Sequence, residues 1–324
     1  MGKARILDAH NSQAIKEAAA IIRAGGLVAF PTETVYGLGA DACNPLAVAR
    51  VFEAKQRPSL DPLIVHVVDA ASAKRYGIFP ESADALMRRF WPGPLTLVVP
   101  KTVLVPPIVT AGLDSVAIRV PAHPAALNLI RAAEAAIAAP SANQFGYVSP
   151  TEAPHVAHQL SDKVDLILDG GPCAVGVEST ILSLLGPTPT ILRFGGVTVE
   201  ELAAVVGAVE HSTGTRERPQ APGQMTRHYA TKTPLQILSE HQDEAEPLKG
   251  ERVGLLTLTS RDAGRFAAVE VLSRSGNLRE AAANLFSALR RLDNAGCDRL
   301  VAYPVPESGL GLAIMDRLRR CSAR

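Results

Sequence analysis

Two cations stand two residues apart in "KQRPSLDPLIVH": Lys55 and Arg57, the second directly before Pro58. Proline biases the preceding residue toward an extended conformation, and in an extended chain residues i and i+2 face the same side. The spacing therefore predicts that an ammonium and a planar guanidinium converge on one anion, a polyphosphate or a carboxylate. The competing reading is a solvated helix end, whose dipole also favours cations. A third cation, Arg119, lies in the otherwise apolar "SVAIRVP". Burying an unpaired guanidinium is costly, so Arg119 must either be paired, with Asp114 as a candidate, or face a cleft. His66, inside "PLIVHVV", is either a satisfied core histidine or a member of the same site.

Small polar groups recur where apolar runs end. Thr32, Glu33, Thr34 and Tyr36 follow "LVAF", Ser141 and Asn143 follow "AIAAP" with Thr151 beyond them, and Glu178, Ser179 and Thr180 open "ESTILSL". Arg193 closes "ILR". Short hydroxyl and amide groups permit close approach of a ligand and direct hydrogen bonds to it, and open α/β sheets bind ligands beyond the carboxyl ends of their strands. Each segment alone is also what a turn needs. No phosphate loop of the GxxxxGK[ST] type is present, and Gly37-Leu38-Gly39 lacks the third glycine of a dinucleotide fingerprint. These two glycines are predicted to let the backbone turn tightly beneath the site.

The elements that must position these groups follow from periodicity. Ile15, Ala18, Ala19 and Ile22 recur at helical spacing after a capping Asn11 or Ser12 and before Gly25-Gly26. "LVAF" then reads as a strand, "PLAVARVFEAKQRP" as a helix and "PLIVHVV" as a central strand. The alternation continues to "TVEELAAVVG", with a hairpin in "STILSLLGPTPTILRF", so an α/β fold with a mixed sheet is predicted. Periodicity stops in a Pro-, Gly- and Thr-rich stretch and resumes in a smaller alternation. Residues 1–208, 209–233 and 234–324 thus read as a first domain, a linker and a second α/β domain. "PGQMTRHYA" within the linker places Arg227, His228 and Tyr229 together, as either a plain tether or a lid over the site.

A net charge of +1 gives no whole-surface field for a polyanion, so any anionic partner must meet a local cluster. The cysteines Cys43, Cys173, Cys297 and Cys321 lack CxxC spacing, which argues against a zinc site or a disulfide framework. With no signal pattern and no apolar run near the ~18 residues of a membrane span, a soluble cytoplasmic protein without membrane contact is expected.

Taken in order, "PTETVYGLG", "KQRP", "PLIVH", "VAIRVPAHP", "PSAN", "GVESTI", "LRFGG" and "PGQMTRHYA" resemble the YrdC-like family in its long, two-domain form. The resemblance implies a twisted mixed sheet with helices and a concave cleft, followed by a smaller Rossmann-like domain. It implies ATP-dependent joining of L-threonine and bicarbonate or CO2 to give threonylcarbamoyl-AMP and pyrophosphate, for N6-threonylcarbamoyladenosine in tRNA. Such a reaction needs positioning and charge stabilisation more than a nucleophile.

By the same resemblance, Lys55 and Arg57 carry catalysis, and Thr34, His66, Arg119, Ser141 and Ser179 hold L-threonine. ATP meets Arg57, Asp61, Ser115, Asn143, Thr151, Arg193 and Tyr229, with Mg2+ arriving on the nucleotide and no dedicated metal site. The product would pass to the tRNA threonylcarbamoyl-transfer machinery, with at most a weak tRNA contact. Two departures stand out: Asp61 where the family commonly has asparagine, and Phe194 in "LRFGG" for the usual proline. A carboxylate near a triphosphate must be turned away, protonated or holding a metal. The rival functions are a double-stranded RNA or tRNA-binding module without adenylylation, and carbamoyl transfer in hydrogenase maturation. The latter usually brings CxxC pairs that this chain lacks.

Overall fold

The computed structural model describes residues 3–58, 60–211, 220–222, 229–239, 247–248, 250–260 and 263–323. The chain opens with β1 (Arg5–Asp8), α1 (Ser12–Arg23), β2 (Val28–Phe30), β3 (Gly37–Asp41) and α2 (Pro45–Lys55). It continues through β4 (Ile64–His66), α3 (Ala70–Ala73), α4 (Ala83–Phe90), β5 (Leu95–Pro100), β6 (Ser115–Arg119) and α5 (Pro124–Ala133). Then come β7 (Ile137–Ala138), α6 (Ala153–Leu160), β8 (Leu166–Asp169), β9 (Thr180–Ser183), β10 (Thr190–Arg193), α7 (Val199–Val206) and β11 (Glu210–His211). These strands form one mixed sheet in the order β1-β8-β2-β3-β7-β4-β6-β5-β9-β10-β11.

A second sheet follows. It contains β12 (Leu235–Ile237), β13 (Val253–Thr257), β14 (Ala268–Val271) and β15 (Arg299–Ala302), all parallel, in the order β12-β15-β13-β14. Helices α8 (Leu278–Asp293) and α9 (Gly311–Ser322) pack with it. No helix among the described residues is long and apolar enough to cross a membrane.

Local sequence accounts for the helices. Asn11 accepts from the Gln13 amide to start α1, whose Ala14, Ile15, Ala18, Ala19 and Ile22 form the buried stripe. Thr198 and Glu201 make a reciprocal capping box on α7. The first sheet is covered on both faces, as its period-2 pattern requires: Val28 and Phe30 pack with α1 and α5, while Leu27 and Ala29 join the opposite layer with α2.

The stretch "LVAFPTETVYGLGAD" is two antiparallel strands joined through Pro31–Tyr36, with Phe30 opposite Gly37 and Val28 opposite Gly39. Gly37 and Gly39 are therefore strand residues, not the tight turn expected from sequence, and neither has a positive φ. What they supply is the absence of a side chain. A Cβ on Gly39 would stand 2.8 Å from both Ile137 Cγ2 and Phe30 Cε1, and one on Gly37 would stand 3.2 Å from Phe30 Cζ. The Phe30 ring fills that space. Gly39→Ala should then overpack the layer and lower the unfolding free energy by about 1–3 kcal/mol, read from the denaturant midpoint, whereas an unchanged midpoint would show that the ring can move aside.

Candidate functional site

A cavity lies against one face of the first sheet, over β4 and β6. Ile64 and His66, two residues apart on β4, face it, as does Arg119, the register partner of His66 on parallel β6. Thr32 and Thr34 of the β2–β3 connection, Ser141, Glu178, Ser179 and Arg193 complete the walls, and Arg57, Pro222 and Tyr229 close it further. The space within it is about 40 Å3 and opens to solvent.

Arg119 is 3% exposed and all three of its nitrogens have partners. Nη2 pairs with Glu33 at 2.6 Å, Nη1 donates to Thr34 Oγ1 at 2.9 Å, and Nε donates to the Gly93 carbonyl at 3.2 Å. The counter-charge is thus Glu33 and not Asp114, whose carbonyl instead accepts from the Lys101 amide one strand away. Thr32 Oγ1 holds the connection that carries Glu33 and Thr34, accepting from the amides of Thr34 and Val35. His66 is buried against the edge of Phe30, with ring centroids 6.1 Å apart. Burial, and then the neighbouring Arg119 charge, lower its pKa to about 3, so at neutral pH it is an uncharged imidazole.

Arg193 donates to the Ser179 carbonyl and hydroxyl at 2.9 and 3.2 Å and to the Pro222 carbonyl at 3.2 Å. Ser179 in turn shares a 2.8 Å hydrogen bond with Thr96 on β5. Arg57 pairs with Asp61 at 2.9 Å and donates to the Pro62 carbonyl at 2.8 Å. The Asp61 carboxylate is therefore committed to Arg57 and stands behind it, outside the cavity wall. Burial raises the Asp61 pKa, opposed by the charges of Arg57, Lys55 and Arg193.

Lys55 departs from the geometry expected from its spacing. It is the last residue of α2, and Gln56 after it adopts a left-handed conformation with φ of 53°, so residues 55–57 are not the extended run that the i,i+2 argument requires. The Lys55 ammonium is 1% exposed and donates to the carbonyls of Ser141, at 2.5 Å, and Asn143. Burial, and then the Arg57 charge, hold its pKa well below the usual lysine range. It supports the Ser141 wall from beneath and does not line the cavity.

Three more of the expected nucleotide contacts lie away from the cavity. Ser115 begins β6, at the opposite end of the strand from Arg119. Asn143 is buried and donates to the carbonyls of Gln144 and Tyr147, closing its own loop. Thr151 shares a 2.9 Å hydrogen bond with Ser287 of α8. Tyr229 does reach the site: it lines the cavity, is 1% exposed with φ of 63°, and stacks on Phe286 with centroids 5.5 Å apart. Arg227 and His228 lie outside the described residues. Among the described residues no group of three or more His, Cys, Asp or Glu side chains is placed to hold a metal ion.

Two residues were not assigned a role from sequence. Glu178 lines the cavity, and Arg317 of α9, with no exposed surface, pairs with it at 2.9 Å. A signal for Arg317 was present. It occupies the apolar stripe of its helix with Ala313, Ile314, Leu318 and Cys321, and the cost of an unpaired buried guanidinium applies to it as to Arg119.

The face of a mixed α/β sheet here gathers arginines, a neutral histidine and short hydroxyl groups, a set of donors suited to small anions. Residues 20–195 match the Sua5/YciO/YrdC family, described as "Telomere recombination", and residues 197–323 match "Threonylcarbamoyl-AMP synthase, C-terminal domain". Threonylcarbamoyl-AMP synthase of Bacillus subtilis is 46% identical, covering 96% of this chain and 94% of its own length, and that of Pyrococcus abyssi is 44% identical over 95% and 94%. The crystal structure of P. abyssi Sua5 complexed with L-threonine superposes with a TM-score of 0.91 at 44% identity, covering 96% of this chain and 95% of that one. Escherichia coli YciO, 24% identical with a TM-score of 0.53, shares the fold over 59% of this chain and 96% of its own. The chain belongs to the Sua5/YciO/YrdC family, in the form that carries the additional C-terminal domain.

The His66 shift has a stability consequence. The unfolded imidazole takes up a proton below its ordinary pKa of 6.5, whereas the folded one stays neutral down to about 3. Stability tied to His66 is therefore complete above pH 6.5 and falls as the pH drops toward 3. Acidification to about pH 4.5 should cost about 2–3 kcal/mol from this residue, and His66→Phe should remove that part of the slope; equal slopes in parent and variant would contradict it.

Proposed function

We propose that this chain is an L-threonylcarbamoyladenylate synthase. It joins L-threonine, bicarbonate or CO2, and ATP to form threonylcarbamoyl-AMP and pyrophosphate, on the path to N6-threonylcarbamoyladenosine in tRNA. The observation that carries the reading is the convergence of Arg119, His66, Thr34, Ser141 and Ser179 on one cavity with Arg57 and Arg193 beside it. The close likeness to the P. abyssi protein solved with L-threonine supports the amino-acid half.

In this reading the Arg119 guanidinium takes the threonine carboxylate, and its position is fixed in advance by Glu33, Thr34 and Gly93. The threonine ammonium first loses a proton. The free amine attacks the carbon of CO2, which bicarbonate supplies by losing hydroxide. The nitrogen then gives up a second proton, to that hydroxide or to solvent, to leave a carbamate. A carbamate oxygen then attacks the α-phosphorus of ATP, and the bond to the bridging oxygen of pyrophosphate breaks. Charge accumulates on phosphoryl oxygens, so arginines held in place before the reaction do most of the work. Arg57 and Arg193 are the cations nearest that role, with Lys55 keeping Ser141 in position.

Mg2+, which neutralises ATP phosphates when bound, is proposed to arrive with the nucleotide. Residues 1–208 are read as the catalytic domain, 209–233 as the linker that covers it, and 234–324 as the second domain. We place the protein in the cytoplasm, handing its product to the tRNA threonylcarbamoyl-transfer machinery with at most weak tRNA contact.

Release of pyrophosphate from ATP that requires both L-threonine and bicarbonate tests the assignment; release without threonine, or none with every substrate present, would overturn it. Arg119→Lys, which keeps the charge but loses the planar fork, should raise the KM for L-threonine by about tenfold or more and leave the KM for ATP within about twofold. Equal rises in both would mean that Arg119 does not select the amino acid.

A further inference from the structure

The Arg119 guanidinium is clamped from two sides. Glu33 and Thr34, on the β2–β3 connection, face its terminal nitrogens, while Nε donates to the Gly93 carbonyl, on the segment between α4 and β5. A guanidinium can take a carboxylate through two parallel N–H bonds, either from Nε and one terminal nitrogen or from the two terminal nitrogens. With Nε engaged by Gly93, only the terminal pair is left for that geometry. The Gly93 carbonyl therefore decides which edge of the fork an incoming carboxylate meets.

Gly93 is itself held by its neighbours. Its amide donates to the Val120 carbonyl at 2.8 Å, so both of its backbone groups go to the end of β6. A Cβ on Gly93 would stand 2.4 Å from the Phe90 carbonyl oxygen, so no side chain fits there against the end of α4. Pro92 and Pro94, on either side, have no N–H, and the Gly93 amide is the one backbone donor of the three residues. That amide fixes where Gly93 sits, but glycine leaves the direction of its own carbonyl free. A side chain closes the segment instead: the indole Nε1 of Trp91 donates to the Leu95 carbonyl at 2.7 Å and bridges the residues between. The Trp91 ring is fixed in turn against Phe79, edge to face with centroids 6.1 Å apart. Pro94 is anchored to β9 on its own account, its carbonyl accepting from the Thr180 amide at 2.9 Å. The residues that depend on the indole bridge are thus Pro92 and Gly93.

We propose that Trp91 is a positioning residue for the amino-acid site: by bridging to Leu95 it aims the Gly93 carbonyl, and through Gly93 it fixes the plane of the Arg119 fork. The identity of the amino acid as L-threonine rests on the function given above; the coupling of Trp91 to Arg119 does not. Glu33 and Thr34 lie on one connection, so without Gly93 the guanidinium would be free to follow that connection alone. Losing the indole bridge lets the Gly93 carbonyl turn away, and the carboxylate then meets a fork in several orientations, which weakens its binding. Arg57 and Arg193 take their hydrogen bonds from Asp61, Pro62, Ser179 and Pro222, none of which lies in the 91–95 segment, so the nucleotide side is spared.

Trp91 is the only tryptophan of the chain, so a test on the full chain can address a single atom. Incorporating benzothienylalanine in its place keeps the shape of the ring and its contact with Phe79 but removes the N–H donor, and Trp91→Phe removes the donor by mutation. In both proteins the Kd for L-threonine, measured by calorimetry without nucleotide, should rise about three- to tenfold, the effect of losing one hydrogen bond, while the KM for ATP stays within about twofold. If Trp91→Phe fails to fold, the benzothienyl protein decides. An unchanged Kd there, or equal rises for L-threonine and ATP, would leave Trp91 a packing residue and overturn the proposal. The coupling is also read without any substrate. Nitrogen-15 tryptophan gives one indole N–H signal, and Arg119→Lys, which removes the Nε donor to Gly93, should shift it; an unmoved signal would overturn the proposal as well. Should the parent bind no L-threonine, the proposed function is what fails, and the indole signal still decides whether Trp91 and Arg119 are coupled.

Discussion

Burying a cation is the constraint around which this molecule is organised. Lys55, Arg57, Arg119, Arg193 and Arg317 are all less than a tenth exposed and lie in or around one cavity. The effective penalty for an uncompensated buried ion is several kcal/mol, so each must find a carboxylate or carbonyl, and here those partners come from distant parts of the chain. Arg119 needs Glu33, Lys55 needs the carbonyls of Ser141 and Asn143, and Arg317 needs Glu178. Satisfying them brings the β2–β3 connection, the end of α2, the segment after β7 and helix α9 to one place.

The same pairing prepares the chemistry. A guanidinium already fixed by two or three partners does not reorganise when a carboxylate or phosphate arrives, and in a water-poor cavity its attraction for new negative charge is stronger than at the surface. Glu33 and Asp61 also keep the cluster from accumulating uncompensated positive charge. The Asp61 that looked hostile to a triphosphate is held by Arg57 and does not face the cavity.

Much of this was legible in the sequence because it depends on short-range rules. The α1 stripe, the Thr198 cap, the β9–β10 hairpin and the alternation of layers follow from periodicity and local hydrogen bonding. Arg119 was conspicuous because a charge interrupts an apolar strand. What escaped depends on partners far along the chain. Proline does favour an extended Arg57, but the helical Lys55 and left-handed Gln56 break the extended run, and no i,i+2 rule registers that. The partner of Arg119 is 86 positions back (119 minus 33) and not the nearby Asp114. Gly37 and Gly39 looked like turn residues because their packing against Phe30 is visible only across the strand pair. Ser115, Asn143 and Thr151 lie off the cavity because strand length, loop-closing hydrogen bonds and the Ser287 partner place them, none of which a short motif displays.

The central claim is that this cation cluster joins a carbon from bicarbonate to the threonine nitrogen and an oxygen of the resulting carbamate to the α-phosphorus of ATP. Supplying carbon-13 bicarbonate with L-threonine and Mg-ATP and analysing the fresh product by mass spectrometry tests it most directly. The account predicts an AMP adduct carrying one labelled carbon and the threonine mass, formed together with pyrophosphate. AMP and pyrophosphate without a labelled adduct even at the earliest time points, or an adduct lacking the label, would contradict it.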